Sequence, residues 1–206
     1  MKKMTFAVLG AMTLGAVLAT PGAQAAGGDR EEGKKKFYTC IGCHGIEGYA
    51  NTYPTYQVPR IGGQHPDYIV SALKTYQAGE RPHASMQGNA TSLSSEDLED
   101  IGAYVAAFRS INVNLPTHGD VTAGKAKAQS CAGCHGEDGN SVAGSGFPRL
   151  AGQYESYIVK TLQDYKSGKR KNPMMNGIAA TLSAEDMENV AAYYASQKKG
   201  LIVIPE

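Results

Sequence analysis

Every cysteine of this chain lies in one of two copies of a five-residue motif, Cys-x-x-Cys-His. In such a segment the two thiols form thioether bonds to the vinyl groups of haem, and the histidine that follows directly is placed to bind the iron. Zinc sites and redox dithiols also use Cys-x-x-Cys, but neither requires the adjacent histidine. The motifs therefore predict two covalent haem c groups, one at Cys40, Cys43 and His44 and the other at Cys131, Cys134 and His135.

Residues 1–25 have the pattern of a secretory signal peptide. Lys2 and Lys3 form a positive start, an apolar run covers 6–18, and Ala23-Gln24-Ala25 is typical of a cleavage site. The run is shorter than the roughly 20 residues that a membrane-spanning helix needs, so cleavage is favoured over an uncleaved anchor. An oxidising compartment also suits thiols that become haem thioethers instead of disulfides. We therefore expect a periplasmic protein.

Charge and length restrict the class of protein. The chain has 20 lysines and arginines against 19 acidic residues, and without Lys2 and Lys3 the balance is 18 − 19 = −1. This balance predicts no basic face for nucleic acid. The length after the signal peptide suffices for two small domains, whose cores are marginal unless a large apolar group such as haem fills each centre.

The chain is an internal duplication. Cys40 and Cys131 are 91 positions apart, whereas Arg60 and Arg149 are 89 apart, so the loop after the motif differs by two residues. The segment PRIGGQ at 59–64 matches PRLAGQ at 148–153, and further landmarks follow at the same spacing. Because each half has its own haem motif, we predict two complete domains, 26–115 and 116–206, with a linker at about 112–120.

Each half is predicted to be helical. Apolar residues recur at helical spacing, Pro66 suits a first helical turn, and Ser94 and Ser183 are N-caps followed by acidic residues. No segment shows the alternation of a strand, so the predicted class is all-α. In the first half we expect helices from about Asp29 to Cys40, from Pro66 to Gly79, and from Ser94 onward. In the second half we expect them from about Val121 to Cys131, from Tyr154 to Gly168, and from Ser183 onward.

The second axial ligand of each iron must come from elsewhere in the chain. Met86 and Met175 are 89 positions apart, each seven residues before a Leu-Ser pair, and we expect both in loops. A thioether is a soft, neutral ligand that favours Fe(II) and closes the iron to substrates. Met174 competes with Met175, but its aligned residue is Ser85, which cannot serve. We therefore predict Met86 and Met175 as the distal ligands.

Three other histidines lack an equivalent in the opposite half. His65 aligns with a tyrosine and His83 with an asparagine, while His118 lies in the linker. We expect surface or hydrogen-bonding roles for all three.

The loop after the first motif is rich in tyrosine, with Tyr49, Tyr53 and Tyr56, whereas the second loop has only Phe147 as an aromatic. Amphipathic tyrosines suit a docking surface or a domain interface, and packing over a haem edge is an equal alternative.

Together these features resemble the dihaem cytochrome c4 family of bacteria, over essentially the whole chain after the signal peptide. The shared pattern is two Cys-x-x-Cys-His domains, each with a Pro-Arg-(Ile/Leu)-x-Gly-Gln segment and a methionine before a Leu-Ser-x-Glu-Asp helix start. The resemblance implies two class I cytochrome c folds related by pseudo-two-fold symmetry, haems near the domain interface, and one-electron transfer in the periplasm.

The resemblance also implies roles for the shared Pro-Arg segment. Pro59 and Pro148 would offer backbone carbonyls to the proximal histidines, which fixes their tautomer. The residues implied to lie near the haem propionates are Arg60, Gln64, Arg149 and Gln153.

One departure from the class I pattern concerns the first helix. In the first half Gly33 and Phe37 match the glycine and the aromatic that pack on the final helix in class I cytochromes. The second half has Gly124 and Ala128 at these positions, so the aromatic contact is not expected there.

Three functions are compatible with these features. A soluble carrier takes single electrons from a bc-type complex or another periplasmic donor and passes them to a terminal oxidase, and histidine–methionine ligation suits that role. An electron-transfer subunit of a larger sulfur-oxidising enzyme is the alternative. A dihaem peroxidase-type enzyme is less favoured because it needs an open iron. We expect the carrier, with redox proteins as partners and no catalytic residues; peripheral attachment to a membrane is left open.

Overall fold

The computed structural model describes residues 27–108 and 114–205, so the predicted signal peptide and part of the predicted linker lie outside the described residues. Over this part of the chain the fold is mainly helical, as predicted, and no helix combines the length and apolar character needed to span a bilayer. The first half contains α1 (Arg30–His44), β1 (Ala50–Thr52), β2 (Thr55–Gln57), α2 (Pro66–Gln77), α3 (Ala84–Thr91) and α4 (Ser95–Ala106). The second half contains α5 (Val121–Lys127), α6 (Gln129–His135), α7 (Glu155–Lys166), α8 (Pro173–Ala180) and α9 (Ala184–Ala195).

The predicted starts of α1, α4 and α9 are confirmed, and each is capped by a side chain. Asp29 accepts hydrogen bonds from the backbone N–H groups of Glu31 and Glu32 at the start of α1. Ser94 and Ser183 each form a capping box, in which the serine hydroxyl accepts from the N–H group three residues on and the aspartate there accepts from the serine N–H. These contacts satisfy N–H groups that have no partner within the helix, and they involve only neighbours in sequence.

The middle helices also lie where they were predicted. Pro66 is the first residue of α2, and Gly79, with a φ of +71°, follows its C-cap. The N–H groups of Gly79 and Glu80 donate back to carbonyls of α2 at 3.1 and 3.0 Å. A positive φ favours glycine at this position, which explains why the helix ends there.

In each half the first and last helices cross closely at a glycine. A Cβ atom on Gly33 would collide with the Asp100 carbonyl of α4, and one on Gly124 would collide with the Asn189 carbonyl of α9. The first helix of the second half differs from the prediction. A single helix was expected to run into the second motif, but it is divided into α5 and α6, which meet at Ala128.

The second core compensates for the aromatic side chain that its first helix lacks. In the first half Phe37 packs on Tyr104, with ring centroids 5.4 Å apart. The equivalent of Phe37 is the buried Ala128, and the equivalent of Val105 is Tyr194, which is buried in the same cluster as Ala128. A large and a small side chain thus exchange positions between the two cores.

A short antiparallel hairpin lies in the loop after the first motif, where no strand was predicted. It pairs Ala50 with Gln57 and Thr52 with Thr55. Strands of three residues are too short for alternation to be recognised in a sequence, so the all-α prediction missed this element. The loop that contains it is two residues longer than its counterpart in the second half.

The C-terminal tail crosses from the second half into the core of the first. Ile202 and Gly62 exchange two backbone hydrogen bonds of 2.9 and 3.0 Å, and Ile204 is fully buried. The domain boundaries stay a prediction, but this tail, placed by sequence in 116–206, packs in the other half. The first core comprises Phe37, Ile69, Ile101, Tyr104, Val105 and Ile204.

Candidate haem sites

Each Cys-x-x-Cys-His motif occupies the end of a helix. In the first half the motif forms the last turn of α1, and in the second half it forms the end of α6. Cys40 and Cys131 are partly buried at the edges of the two cores, and burial raises the pKa of the Cys40 thiol. The helical geometry thus presents two thiols and one imidazole from a single segment in each half.

Both motif histidines are buried and oriented by a proline carbonyl. The Nδ1 atom of His44 lies 2.9 Å from the Pro59 carbonyl oxygen, and that of His135 lies 2.9 Å from the Pro148 carbonyl oxygen. A carbonyl oxygen only accepts, so Nδ1–H donates and the lone pair of the neutral ring is on Nε2. Burial lowers the pKa of both imidazoles, which favours this neutral form. Each ring is therefore prepared to bind a metal through Nε2.

The two candidate distal methionines lie in the first turns of short helices, whereas loops were expected. Met86 is the third residue of α3, and its backbone N–H donates to Nδ1 of His83 at 3.2 Å. Met175 is the third residue of α8, and its N–H donates to the side-chain oxygen of Asn172 at 3.0 Å. His83 and the residue aligned with it, Asn172, are thus both side-chain N-caps of the helices that carry the methionines.

The structure separates Met175 from its neighbour Met174. Met174 is 58% exposed, whereas Met175 is half-buried and packs against the second core. Met86 is likewise half-buried. These positions support Met175 over Met174, and ligation of iron by Met86 and Met175 stays a prediction.

The Pro-Arg-x-x-Gly-Gln segments of the two halves bind each other reciprocally. The side-chain oxygen of Gln153 accepts from the N–H of Arg60 at 2.9 Å, and its amide nitrogen donates to the Arg60 carbonyl at 2.9 Å. Gln64 makes the same pair of bonds to the backbone of Arg149, at 2.9 and 3.1 Å. The predicted pseudo-two-fold relation is visible in these four bonds, which join the halves at the segments that also orient the histidines.

The side chains of the two arginines fit an anionic group. Arg60 forms an ion pair with Glu47, and Nη1 of Arg149 donates to the Gly63 carbonyl at 2.6 Å. The Nε atoms of Arg60 and Arg149 are buried and have no hydrogen-bond partner in the described part of the chain. A carboxylate is the acceptor that such a donor lacks, so these residues suit haem propionates; that contact stays a prediction, as it does for Gln64 and Gln153.

Two further side chains cross the interface: Tyr154, for which no role was predicted, and His65, for which a surface or hydrogen-bonding role was expected. The Tyr154 hydroxyl donates to the Glu47 carboxylate at 2.8 Å, beside the first motif. Its equivalent, His65, is buried, and its Nε2 lies 2.9 Å from the carbonyl oxygen of Ser141, beyond the second motif. His65 is therefore a hydrogen-bonding residue of the interface. His118 is exposed and lies 3.7 Å from the Glu155 carboxylate.

The three tyrosines of the hairpin loop have different environments. Tyr56 is buried and lies against Tyr157 of the second half, with ring centroids 6.3 Å apart. Tyr53 is 96% exposed and Tyr49 is 44% exposed. The interface interpretation therefore holds for Tyr56 alone.

Comparison with known proteins agrees with this arrangement. The family model described as Cytochrome c matches residues 30–108 and again 121–198. A cytochrome c4 of Pseudomonas aeruginosa is 33% identical over 181 residues, which cover 82% of this chain and 88% of that protein.

Two solved structures are also similar. The cytochrome c4 structure of Acidithiobacillus ferrooxidans is 33% identical, with a TM-score of 0.69 over 78% of this chain and 99% of that one. The thiosulfate dehydrogenase TsdBA of Marichromatium purpuratum is 30% identical, with a TM-score of 0.70 over 81% of this chain and 40% of that one.

Proposed function

This chain belongs to the cytochrome c4 family, and we propose that it carries single electrons in the periplasm between a respiratory donor, such as a bc-type complex, and a terminal oxidase. The family and the two motifs indicate two covalent haem c groups and an electron-transfer role. The protein is an electron carrier and not an enzyme. We propose the periplasm as its compartment, a bc-type complex as one possible donor and a terminal oxidase as the acceptor.

The equivalence of the two sites carries the proposal. Each half has a buried histidine whose Nδ1 is bound to a proline carbonyl, and a half-buried methionine in the first turn of a capped helix. When bound, haem iron supplies one-electron chemistry, and these side chains would hold it by two ligands. With His44 and Met86, or His135 and Met175, as ligands, no coordination position is open to a substrate.

Substitution of each methionine tests the ligation. We expect Met86→Ala and Met175→Ala each to lower the reduction potential of one haem, because loss of the thioether removes a ligand that favours Fe(II). Each variant should also lose about half of the methionine-to-ferric-iron absorption band at the red end of the visible spectrum, with both haems still covalently attached by mass.

Met174→Ala is the matched control, since Met174 is exposed and adjacent to Met175. It should change neither the potentials nor the band. If Met174→Ala lowered a potential and Met175→Ala did not, the ligand assignment in the second half is wrong.

The proposed partners are tested with purified proteins. A bc-type complex supplied with quinol should reduce the oxidised protein, and a terminal oxidase should reoxidise it, both at rates that fall with rising ionic strength if charge steers the encounter. Failure of both reactions at low salt would exclude the respiratory route.

A second candidate is the electron acceptor of a thiosulfate-oxidising enzyme. It is favoured by the similarity to TsdBA, which covers 81% of this chain. The observation that separates the two candidates is reduction of this protein by a thiosulfate dehydrogenase with thiosulfate present, compared with reduction by the bc-type complex. Faster reduction by the dehydrogenase, together with stable co-purification, would favour the second candidate.

A further inference from the structure

An arginine precedes each distal-ligand segment and binds a tyrosine of the opposite half. Nη2 of Arg81 donates to the Tyr157 hydroxyl, and Nη2 of Arg170 donates to the Tyr68 hydroxyl at 3.0 Å. Arg81 and Arg170 are equivalent residues at the 89-residue spacing, and so are Tyr68 and Tyr157. The two contacts are therefore related by the pseudo-two-fold symmetry, and each one crosses the interface.

Each arginine is also fixed within its own half. The guanidinium of Arg81 lies 4.6 Å from the ring centre of Tyr76, and that of Arg170 lies 4.6 Å from the ring centre of Tyr165. A guanidinium over an aromatic face is held by a cation–π interaction. Each arginine thus contacts α2 and α7 at once, through a ring of its own half and a hydroxyl of the opposite half.

Each guanidinium donates to the hydroxyl of the opposite tyrosine, and Arg81 also lies close enough to Tyr68 of its own half to lower the pKa of that hydroxyl. In the described part of the chain neither Arg81 nor Arg170 forms an ion pair with a carboxylate. Burial raises the pKa of Tyr68, but the charges of Arg170 and Arg81 outweigh it and hold this pKa at about 8. Because each hydroxyl accepts a hydrogen bond from its guanidinium, removal of the hydroxyl leaves that N–H group without this partner.

A short path leads from each arginine to the candidate ligand. Arg81 is two residues before His83, whose Nδ1 accepts from the Met86 N–H at 3.2 Å. Arg170 is two residues before the cap Asn172, and its carbonyl accepts from the Asn176 amide of α8 at 3.0 Å. Each arginine is thus two residues of backbone away from the N-cap of the helix that carries the methionine.

We propose that Tyr157 and Tyr68 are positioning residues that act across the interface: each hydroxyl holds the arginine that places the distal methionine of the opposite half. This inference rests on the proposed ligation by Met86 and Met175. It means that each redox centre is completed by a side chain of the other half, and the two halves are not independent electron-transfer modules.

Crossed phenylalanine variants of the full haem-loaded protein test the proposal. Tyr157→Phe should lower the potential of the His44 haem and weaken its methionine–iron absorption band, with a smaller shift at the His135 haem. Tyr68→Phe should do the reverse. The potentials are read by redox titration followed through the ligand-methionine methyl resonances in NMR, which separate the two haems.

Ser156→Ala is the matched control. Ser156 precedes Tyr157 on α7 and binds Gln57 of the first half, accepting from its N–H at 3.0 Å, and within 27–108 and 114–205 its hydroxyl forms no hydrogen bond with the distal segments. This variant removes an interface contact and should leave both potentials unchanged. A similar shift in Ser156→Ala would show that general loosening of the interface explains the result, and the proposal fails.

A double-mutant cycle keeps the test decisive if one variant folds poorly. Arg81→Lys should shift the same haem as Tyr157→Phe, and the double variant should shift it by no more than the larger single effect. Additive shifts, equal shifts at both haems, a shift confined to the haem of the substituted half, or no shift each overturn the inference. Failure of the proposed ligation is a separate result. It would appear in the wild-type protein, as the absence of a methionine–iron absorption band.

Discussion

Ile204→Ala is expected to destabilise the first half of the molecule, although residue 204 comes at the end of the sequence of the second. Ile204 is fully buried in the first core, beside Phe37 and Val105. The change removes three carbon atoms, and at ~0.8 kcal/mol for each buried carbon group the transfer term is about 2.4 kcal/mol. The cavity left behind adds to this, so the total loss of unfolding free energy should be about 2–5 kcal/mol.

Native-state hydrogen exchange measures this effect in each half separately. In Ile204→Ala the amides of α2 and α4 should lose protection, since these helices line the first core. The amides of α7 and α9 should change less, because the second core does not contain Ile204. Val142→Ala is the control, as Val142 is 77% exposed and its truncation should have little effect.

If protection is lost only in the tail and in the second half, Ile204 does not support the first core. If Ile204→Ala lowers the free energy of unfolding by less than Val142→Ala does, the buried contacts of the tail contribute nothing to stability.

Two further predictions concern the helix crossing and a capping box. Gly124→Ala should lower the melting temperature, with a loss of ~1–3 kcal/mol, because its Cβ atom would collide with the Asn189 carbonyl and force α5 away from α9; circular dichroism melts measure this. The pKa of Asp97 is held at about 2 by Lys36 and the Ser94 cap, against 3.8 for an ordinary aspartate, so its stabilising effect is present above pH 3.8 and is lost as the pH falls towards 2. Asp97→Asn should flatten the pH dependence of the urea midpoint in that window, and an unchanged slope would contradict this origin.

Several structural features could be predicted from the sequence because they depend on neighbouring residues. The starts of α1, α4 and α9 follow from caps at Asp29, Ser94 and Ser183, whose partners lie two or three residues away. The haem motifs are equally local, since two cysteines and a histidine share five residues. The duplication then allowed Met86 and Met175 to be selected as a pair.

The same duplication contained a signal that the prediction did not use. Arg81 and Arg170 match at the 89-residue spacing just before the candidate ligands, and Tyr68 matches Tyr157. An equivalent pair in a duplicated chain can bind within each half or across the halves, and the sequence does not distinguish these arrangements. The structure places both contacts across the interface.

The helical class, the two haem motifs, the duplication and the candidate axial ligands can be predicted from the amino-acid sequence, because periodicity, caps and motifs act over a few residues and the repeat identifies equivalent positions. Three features depend on the folded structure: Gln64 and Gln153 bond across the interface, His65 is buried there, and Ile204 belongs to the first core. Those contacts join residues far apart in the chain, so they exist only where packing of the two apolar cores brings the halves together.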